Sequence, residues 1–203
     1  GLAKEPRSPS GERPTGMKIR PELCCGVPKQ TKKLSQMVTQ RNYQQPLDYA
    51  ELADKRLKKE LLELPVATNI YVLDVGGNAS DAEFTQFSWD TNPRSQPLPK
   101  DSPKYQILQR LANDFDGQKY DLNNPSHRKQ MKIRLLRMFN PKAKPILEEF
   151  AAAYQQRFKR PLRITSLTRS MEYQISLNAN NANSFKVSGK GSLPPHTSGC
   201  AFD

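Results

Sequence analysis

The stretch LRITSLTRSMEYQ, residues 162–174, joins a strand pattern to the start of a helix. From Leu162 to Leu167, apolar side chains occupy both sets of alternating positions, which predicts a short strand buried on both faces. The polar run at Arg169 and Ser170 leads into a short predicted helix that carries Gln174. This corner therefore places polar side chains where a buried strand meets a helix.

Three segments upstream of the strand have the pattern of amphipathic helices, namely residues 103–115, 125–139 and 141–158. Each opens on a proline, which the first turn of a helix tolerates. In the third segment, four large apolar residues share one face: Ile146, Phe150, Tyr154 and Phe158. The strand is therefore expected to follow the third helix after a short basic turn.

The N-terminal part of the chain changes character twice. Residues 1–35 are rich in proline, glycine, serine and basic residues and show no period, which predicts a disordered basic arm. Residues 46–65 have spaced leucines among charges and predict an amphipathic helix that ends at Pro65. Residues 68–90 alternate around Gly76-Gly77 and predict a β-hairpin.

These elements together predict an α+β fold. It has a helical N-terminal half with a small β-hairpin, followed by the first strands of a mixed or antiparallel sheet. We expect residues 36–120 to be a helix-and-hairpin region of unassigned role, and residues 121–203 to be the N-terminal part of a further domain. The final residues CAFD are expected to begin another strand.

The net charge of +12 favours an anionic partner, such as nucleic acid, acidic lipid or a bacterial cell wall. Five basic residues crowd the segment 125–139: Arg128, Lys129, Lys132, Arg134 and Arg137. These basic residues are compatible with either a solvated helix face or an anion-binding ridge. The chain has no apolar run near the roughly 20 residues that cross a bilayer, so no membrane span is predicted.

The segment HTSGCAFD, residues 196–203, places a histidine and an aspartate seven positions apart. A catalytic zinc ion takes three protein ligands, often His nitrogen or carboxylate oxygen, and keeps a fourth position for water. Gly199 permits a tight turn between His196 and Asp203, and the small Ala201 leaves room for a metal. The spacing alone is equally compatible with an unrelated loop histidine and strand aspartate.

Together, these two blocks resemble the zinc D-alanyl-D-alanine carboxypeptidases and dipeptidases of bacterial cell-wall metabolism. Their superfamily is named for lysostaphin, the D-Ala-D-Ala peptidases and the hedgehog signalling domain. The family pattern is S-x-x-R-[ST]-x-x-x-Q, a variable loop, and S-x-H-x-x-G-x-A-x-D. The first block is matched by Ser166, Arg169, Ser170 and Gln174, and the second by His196, Gly199, Ala201 and Asp203.

The likeness covers residues 141–203 and hardly touches the first 100. The run AYQQRFKRPLRITSLTRS, residues 153–170, is similar to a bacterial branch in which a helix ending in YQxxFxxPL precedes the strand. Pro194-Pro195 replaces the usual polar lead-in to the histidine. Cys200 stands where the family has an aliphatic residue, and it is interpreted as a small buried hydrophobe.

The resemblance implies a metallopeptidase with zinc as its cofactor and with His196 and Asp203 as metal ligands. It implies that Arg169 hydrogen-bonds the scissile carbonyl as that oxygen becomes an oxyanion, and that Ser166 and Gln174 support the strand–helix corner. The family's third ligand and general base lie downstream of its aspartate. We therefore expect the sequence to be a C-terminally incomplete fragment that is inactive and binds zinc weakly.

Three functions follow as alternatives. The first is a zinc-dependent peptidase acting on D-Ala-type amide bonds of peptidoglycan, expected by similarity in the periplasm or outside the cell. The second is a non-catalytic module of the same fold that binds peptidoglycan or a protein. The third is nucleic-acid binding, which the charge favours but which finds no DNA- or RNA-reading motif in the sequence.

Overall fold

The computed structural model describes residues 43–75, 98–180 and 195–203. Its helices are α1 (Tyr49–Leu57), α2 (Pro103–Asn113), α3 (Pro125–Leu136), α4 (Lys144–Phe158) and α5 (Met171–Asn180), with a 3-10 helix at Pro195–Ser198. Its strands are β1 (Leu62–Glu63), β2 (Tyr71–Leu73), β3 (Met138–Phe139) and β4 (Leu162–Ile164). Helices with short strands confirm the predicted α+β class.

The strands form two pairs. β1 and β3 are antiparallel, with Leu62 opposite Phe139, and β2 and β4 are parallel, with Tyr71 opposite Leu162. Each pair joins a strand from the segment 36–120 to a strand from the segment 121–203. The two segments also contribute to one buried hydrophobic cluster, so they pack together as one body around it.

Side-chain caps explain where the helices begin. The side chains of Asp48, Ser102 and Asn124 accept hydrogen bonds from free backbone amides in the first turns of α1, α2 and α3. Pro103 and Pro125 open α2 and α3 as predicted, because the first turn does not need their missing amide. α4 begins at Lys144, three residues after the predicted start at Pro141.

The predicted helix over 46–65 is wrong in its second half. α1 ends at Leu57, and Lys59 adopts a left-handed conformation with φ of 58°. The chain then extends, so that Leu61 and Leu64 are buried in the core while β1 pairs with β3. Leu61 and Leu64 are therefore core residues of an extended chain. Their spacing in the sequence is equally compatible with a helix.

A similar difference occurs at the end of α3, which stops at Leu136 instead of 139 because Met138 and Phe139 form β3. The first strand of the predicted hairpin is present as β2. The rest of the hairpin and the basic arm 1–35 lie outside the described residues. None of the described helices has the length and apolar character that a transmembrane span needs.

Residues 201–203 lie beside the residues that follow β4, although no strand is assigned to them. The Asp203 amide donates to the Ser166 carbonyl at 3.0 Å, and the Thr165 amide donates to the Asp203 carbonyl at 2.8 Å. The Asn140 amide donates to the Gly199 carbonyl at 2.7 Å. Phe202 packs edge-on against Phe139 and Phe150. These contacts bring the segment 196–203 beside residues 165–169.

Gly199 is a sensitive point of this segment. Its φ is +70°, and a Cβ there would overlap Cδ2 of the fully buried Leu61. We predict that Gly199→Ala lowers the free energy of unfolding by about 2–4 kcal/mol, from left-handed strain plus overpacking. Gly117→Ala is the matched control, because its φ is +84° but nothing lies within 4 Å of a Cβ.

Chemical denaturation of both variants measures the difference. We expect Gly117→Ala to cost about 1 kcal/mol, the backbone strain alone. Equal losses in the two variants would show that Gly199 is not packed against Leu61.

Candidate metal centre

His196 lies in the 3-10 helix and is 8% exposed. Its Nδ1 is 2.6 Å from the backbone carbonyl of Leu167, which follows β4 in the chain. A carbonyl only accepts, so Nδ1 carries the proton in this bond. In the neutral ring, Nε2 is then the nitrogen with the free lone pair, which is the form that ligates a metal.

Nε2 of His196 is 3.2 Å from Oδ2 of Asp203. With Nδ1 already bonded to Leu167, two lone pairs would face each other across this distance if the ring were neutral. A positive charge between them removes the repulsion. It is either a proton on Nε2, which makes the pair a salt bridge, or a metal cation that both atoms ligate.

The separation suits zinc. Two ligands of one zinc ion, each at about 2.0–2.2 Å, lie roughly 3.3–3.6 Å apart in ideal tetrahedral geometry, and the 3.2 Å found here is close to that range. The Asp203 side chain is 54% exposed while that of His196 is 10% exposed, so the pair is open to solvent on the aspartate side. The donor types, their separation and the carbonyl behind His196 therefore fit a zinc ion with an open face.

Arg169 completes the cluster. Its backbone amide donates to the His196 carbonyl at 3.0 Å, and its Nη2 donates to Asp203 Oδ2 at 3.3 Å. Its Nη1 donates to Oε1 of the buried Gln174 at 3.2 Å. The guanidinium also lies 5.8 Å from the centre of the Tyr173 ring. Arg169 is thus fixed beside the carboxylate by residues of α5.

The structure brings together four of the five predicted site residues through their side chains: Arg169, Gln174, His196 and Asp203. The fifth, Ser166, reaches the cluster through its backbone carbonyl, which holds the Asp203 amide. The other histidine, His127, lies on α3, where its Nδ1 accepts from the Asp121 amide at 2.9 Å. It takes no part in the cluster.

Within the described ranges, no group of three or more His, Cys, Asp or Glu side chains is arranged to hold a metal. The cluster therefore offers two ligand atoms, one fewer than the three protein ligands of a catalytic zinc site. The nearest cysteine in sequence, Cys200, is half-buried, and its backbone amide donates to Ser198 Oγ at 3.1 Å.

The structure adds site residues that the sequence pattern does not reveal. The Leu167 carbonyl fixes the His196 ring through a backbone atom, whatever side chain stands at that position. Tyr43 and Gln45 hold the 3-10 helix, since the Tyr43 hydroxyl donates to the Thr197 carbonyl at 2.8 Å and Thr197 Oγ1 donates to Gln45 at 2.8 Å. More than 150 positions separate these partners. No local pattern predicts such a contact.

No protein-family model, no curated protein and no solved structure matches the chain. The geometry of the cluster and the motif resemblance are therefore the two grounds for any functional conclusion.

The two histidines are predicted to be opposite tautomers when neutral. His196 donates through Nδ1 to Leu167, whereas Nδ1 of His127 accepts from Asp121, which leaves the proton on Nε2. Nitrogen-15 NMR of the imidazole rings measures this directly, because protonated and unprotonated ring nitrogens resonate far apart. His127→Gln assigns the two rings, and a neutral His196 protonated on Nε2 would contradict the geometry.

Proposed function

We propose that the chain carries part of a zinc peptidase centre that acts on D-Ala-type amide bonds of peptidoglycan peptides. The observation that carries the proposal is the pairing of His196 Nε2 with Asp203 Oδ2 at 3.2 Å, with Nδ1 committed to the Leu167 carbonyl. This pairing presents a nitrogen and an oxygen donor at the separation of two zinc ligands. The motif resemblance supplies the reaction class and the substrate.

His196 and Asp203 would hold the metal. When bound, zinc lowers the pKa of a ligated water and polarises a carbonyl. The chain's own contribution is to fix both donors before binding. Leu167 sets the tautomer of His196, and the backbone bonds of Asp203 to Thr165 and Ser166 fix the carboxylate's position. The third ligand and the proton acceptor are placed outside the described residues.

Arg169 is the candidate for oxyanion stabilisation. Its side chain is 14% exposed, and its charge lies against Asp203 at the open face of the cluster. Its Nε is buried with no hydrogen-bond partner among the described residues, which costs stability. A buried cation kept at such a cost is typical of functional sites. A guanidinium here can hydrogen-bond a carbonyl oxygen as negative charge develops on it.

The basic composition suits an anionic wall polymer as the partner. By the same resemblance, the proposal places the protein in the periplasm or outside the cell. The nucleic-acid alternative rested on the net charge of +12 and on the basic residues of the segment 125–139. Three of them have partners inside the fold, because Arg128 donates to the Leu122 carbonyl, Arg134 to Glu63 and Arg137 to the Val75 carbonyl. Lys132 is buried, so Lys129 is the one fully exposed member of that set.

A non-catalytic binding module is the second candidate, and one observation favours it. Asp203 Oδ2 lies within 3.3 Å of both Arg169 and His196. With a proton on Nε2, the three side chains form an ion cluster that needs no metal. In that case the resemblance to peptidases would extend to the fold and not to the chemistry.

Zinc binding separates the two candidates. We predict that the chain binds zinc weakly, because two ligands leave most of the coordination to water. His196→Ala should lower the zinc affinity at least about tenfold, since even outer-shell substitutions cost about 10–100-fold. His127→Ala is the matched control, because His127 is the other of the two histidines. Competition with a chromophoric chelator measures the affinity.

Asp203→Asn tests the role of the carboxylate. Asp203 is more than half exposed, so its ion pairs should contribute less than about 1 kcal/mol to stability. We expect the variant to unfold at nearly the wild-type denaturant concentration while losing about tenfold or more in zinc affinity. A clear loss of stability with unchanged zinc affinity would favour the ion cluster of the binding module.

Peptidase activity is tested on the natural gene product with zinc, as release of D-alanine from a peptide ending in D-Ala-D-Ala. Arg169→Lys should lower the rate about 100-fold, the cost of losing one oxyanion donor. Arg163→Lys is the control, because Arg163 is 72% exposed and pairs with Asp74 on β2's flank. Equal rates in the two variants would remove Arg169 from the mechanism.

A further inference from the structure

Residues 43–47 have no helix or strand and form a strap that contacts the 3-10 helix and the start of α5. They come from the part of the chain for which the sequence offers no role and which the motif resemblance does not cover. The strap makes two sets of polar contacts, one with each of the two elements that carry the site residues. Its chemistry is therefore distinct from that of the hydrophobic core.

The first set of contacts holds the 3-10 helix of His196. The Tyr43 hydroxyl donates to the carbonyl of Thr197, and the Thr197 hydroxyl donates to Oε1 of Gln45, each at 2.8 Å. Thr197 is 1% exposed and directly follows His196. The carbonyl and the hydroxyl of Thr197 are thus both bound by the strap, which restricts the rotation of the turn that carries the imidazole.

The second set caps α5. The amides of Met171 and Glu172, the first two of that helix, donate to the carbonyls of Pro46 and Leu47 at 2.8 and 2.9 Å. Free amides at a helix start need such partners. α5 carries Gln174, which holds the guanidinium of Arg169. The strap therefore supports the arginine side of the site as well as the histidine side.

The strap is itself anchored. The ammonium group of Lys55 on α1 lies 4.2 Å from the centre of the Tyr43 ring, and the Leu47 amide donates to the Glu51 side chain. Burial, together with the charges of Cys200 and Glu60, raises the pKa of Tyr43, so its hydroxyl stays protonated and remains a donor. The strap thus has a fixed position on α1 from which it can position other groups.

We propose that Tyr43 and Gln45 are positioning residues of the metal centre, which they hold through Thr197. The inference rests on the proposed function for its metal readout, but its structural readout stands alone. Without the Tyr43 bond, the turn of His196 loses a restraint, so Nε2 spends less time at its distance from Asp203.

The test uses the whole 203-residue chain with zinc as the probe. Tyr43→Phe and Thr197→Val, each nearly isosteric, should lower the zinc affinity about threefold to tenfold, the effect of one ordinary hydrogen bond on an equilibrium constant. They should also broaden or shift the His196 Nδ1–H resonance. Tyr120→Phe is the matched control, because its hydroxyl bonds Gln118 and Arg134 instead of the strap.

Two results decide the proposal. Variants that unfold more easily but keep wild-type zinc affinity and an unchanged His196 resonance would show that the strap serves stability alone, which overturns it. If Tyr43→Phe does not fold, Thr197→Val and Gln45→Ala give the same readouts. If the wild-type chain binds no zinc through His196, the proposed function fails. Even then, a His196 resonance that changes in the strap variants would establish that Tyr43 and Gln45 position the His196 ring.

Discussion

The site depends on the backbone hydrogen bonds that hold residues 199–203 beside residues 165–166, just after β4. Two backbone hydrogen bonds join Asp203 to residues 165 and 166, and one joins Gly199 to Asn140. Backbone bonds of this kind are insensitive to side-chain chemistry, so they set the position of the whole segment before any polar side chain contributes. The meeting of His196, Asp203 and Arg169 follows from that pairing, because each lies within a few residues of it.

The local elements of this fold were largely predictable from sequence, whereas its pairings were not. Pro103 and Pro125 mark two helix starts, and the pattern from Leu162 marks β4. The helix predicted through Leu61 and Leu64 was wrong, because their spacing fits a helix equally well. Pairing with the strand 138–139 is what makes this segment extended. Parallel pairing of β2 with β4 joins residues about 90 positions apart, a distance over which no periodicity carries information.

The candidate site divides in the same way. The matched blocks identified His196, Asp203, Arg169 and Gln174, and the structure brings their side chains together. The carbonyl of Leu167 and the hydroxyl of Tyr43 were beyond sequence reasoning. A backbone atom has no residue type, and a tyrosine outside the matched blocks gives no sign of its partner. These two groups contact the ring of His196 and the turn that carries it, and in the proposed metal centre they would orient that ligand.

The most direct measurement is zinc K-edge X-ray absorption on the whole chain, with protein in excess over zinc. With His196 and Asp203 as ligands, we expect a first shell of nitrogen and oxygen at about 2.0–2.2 Å, with an imidazole signature that His196→Ala removes and His127→Ala leaves intact. A shell containing sulfur at about 2.3 Å would place the metal on a cysteine. That result, or an imidazole signature that survives in His196→Ala, would contradict the assignment of His196 and Asp203 as the metal ligands.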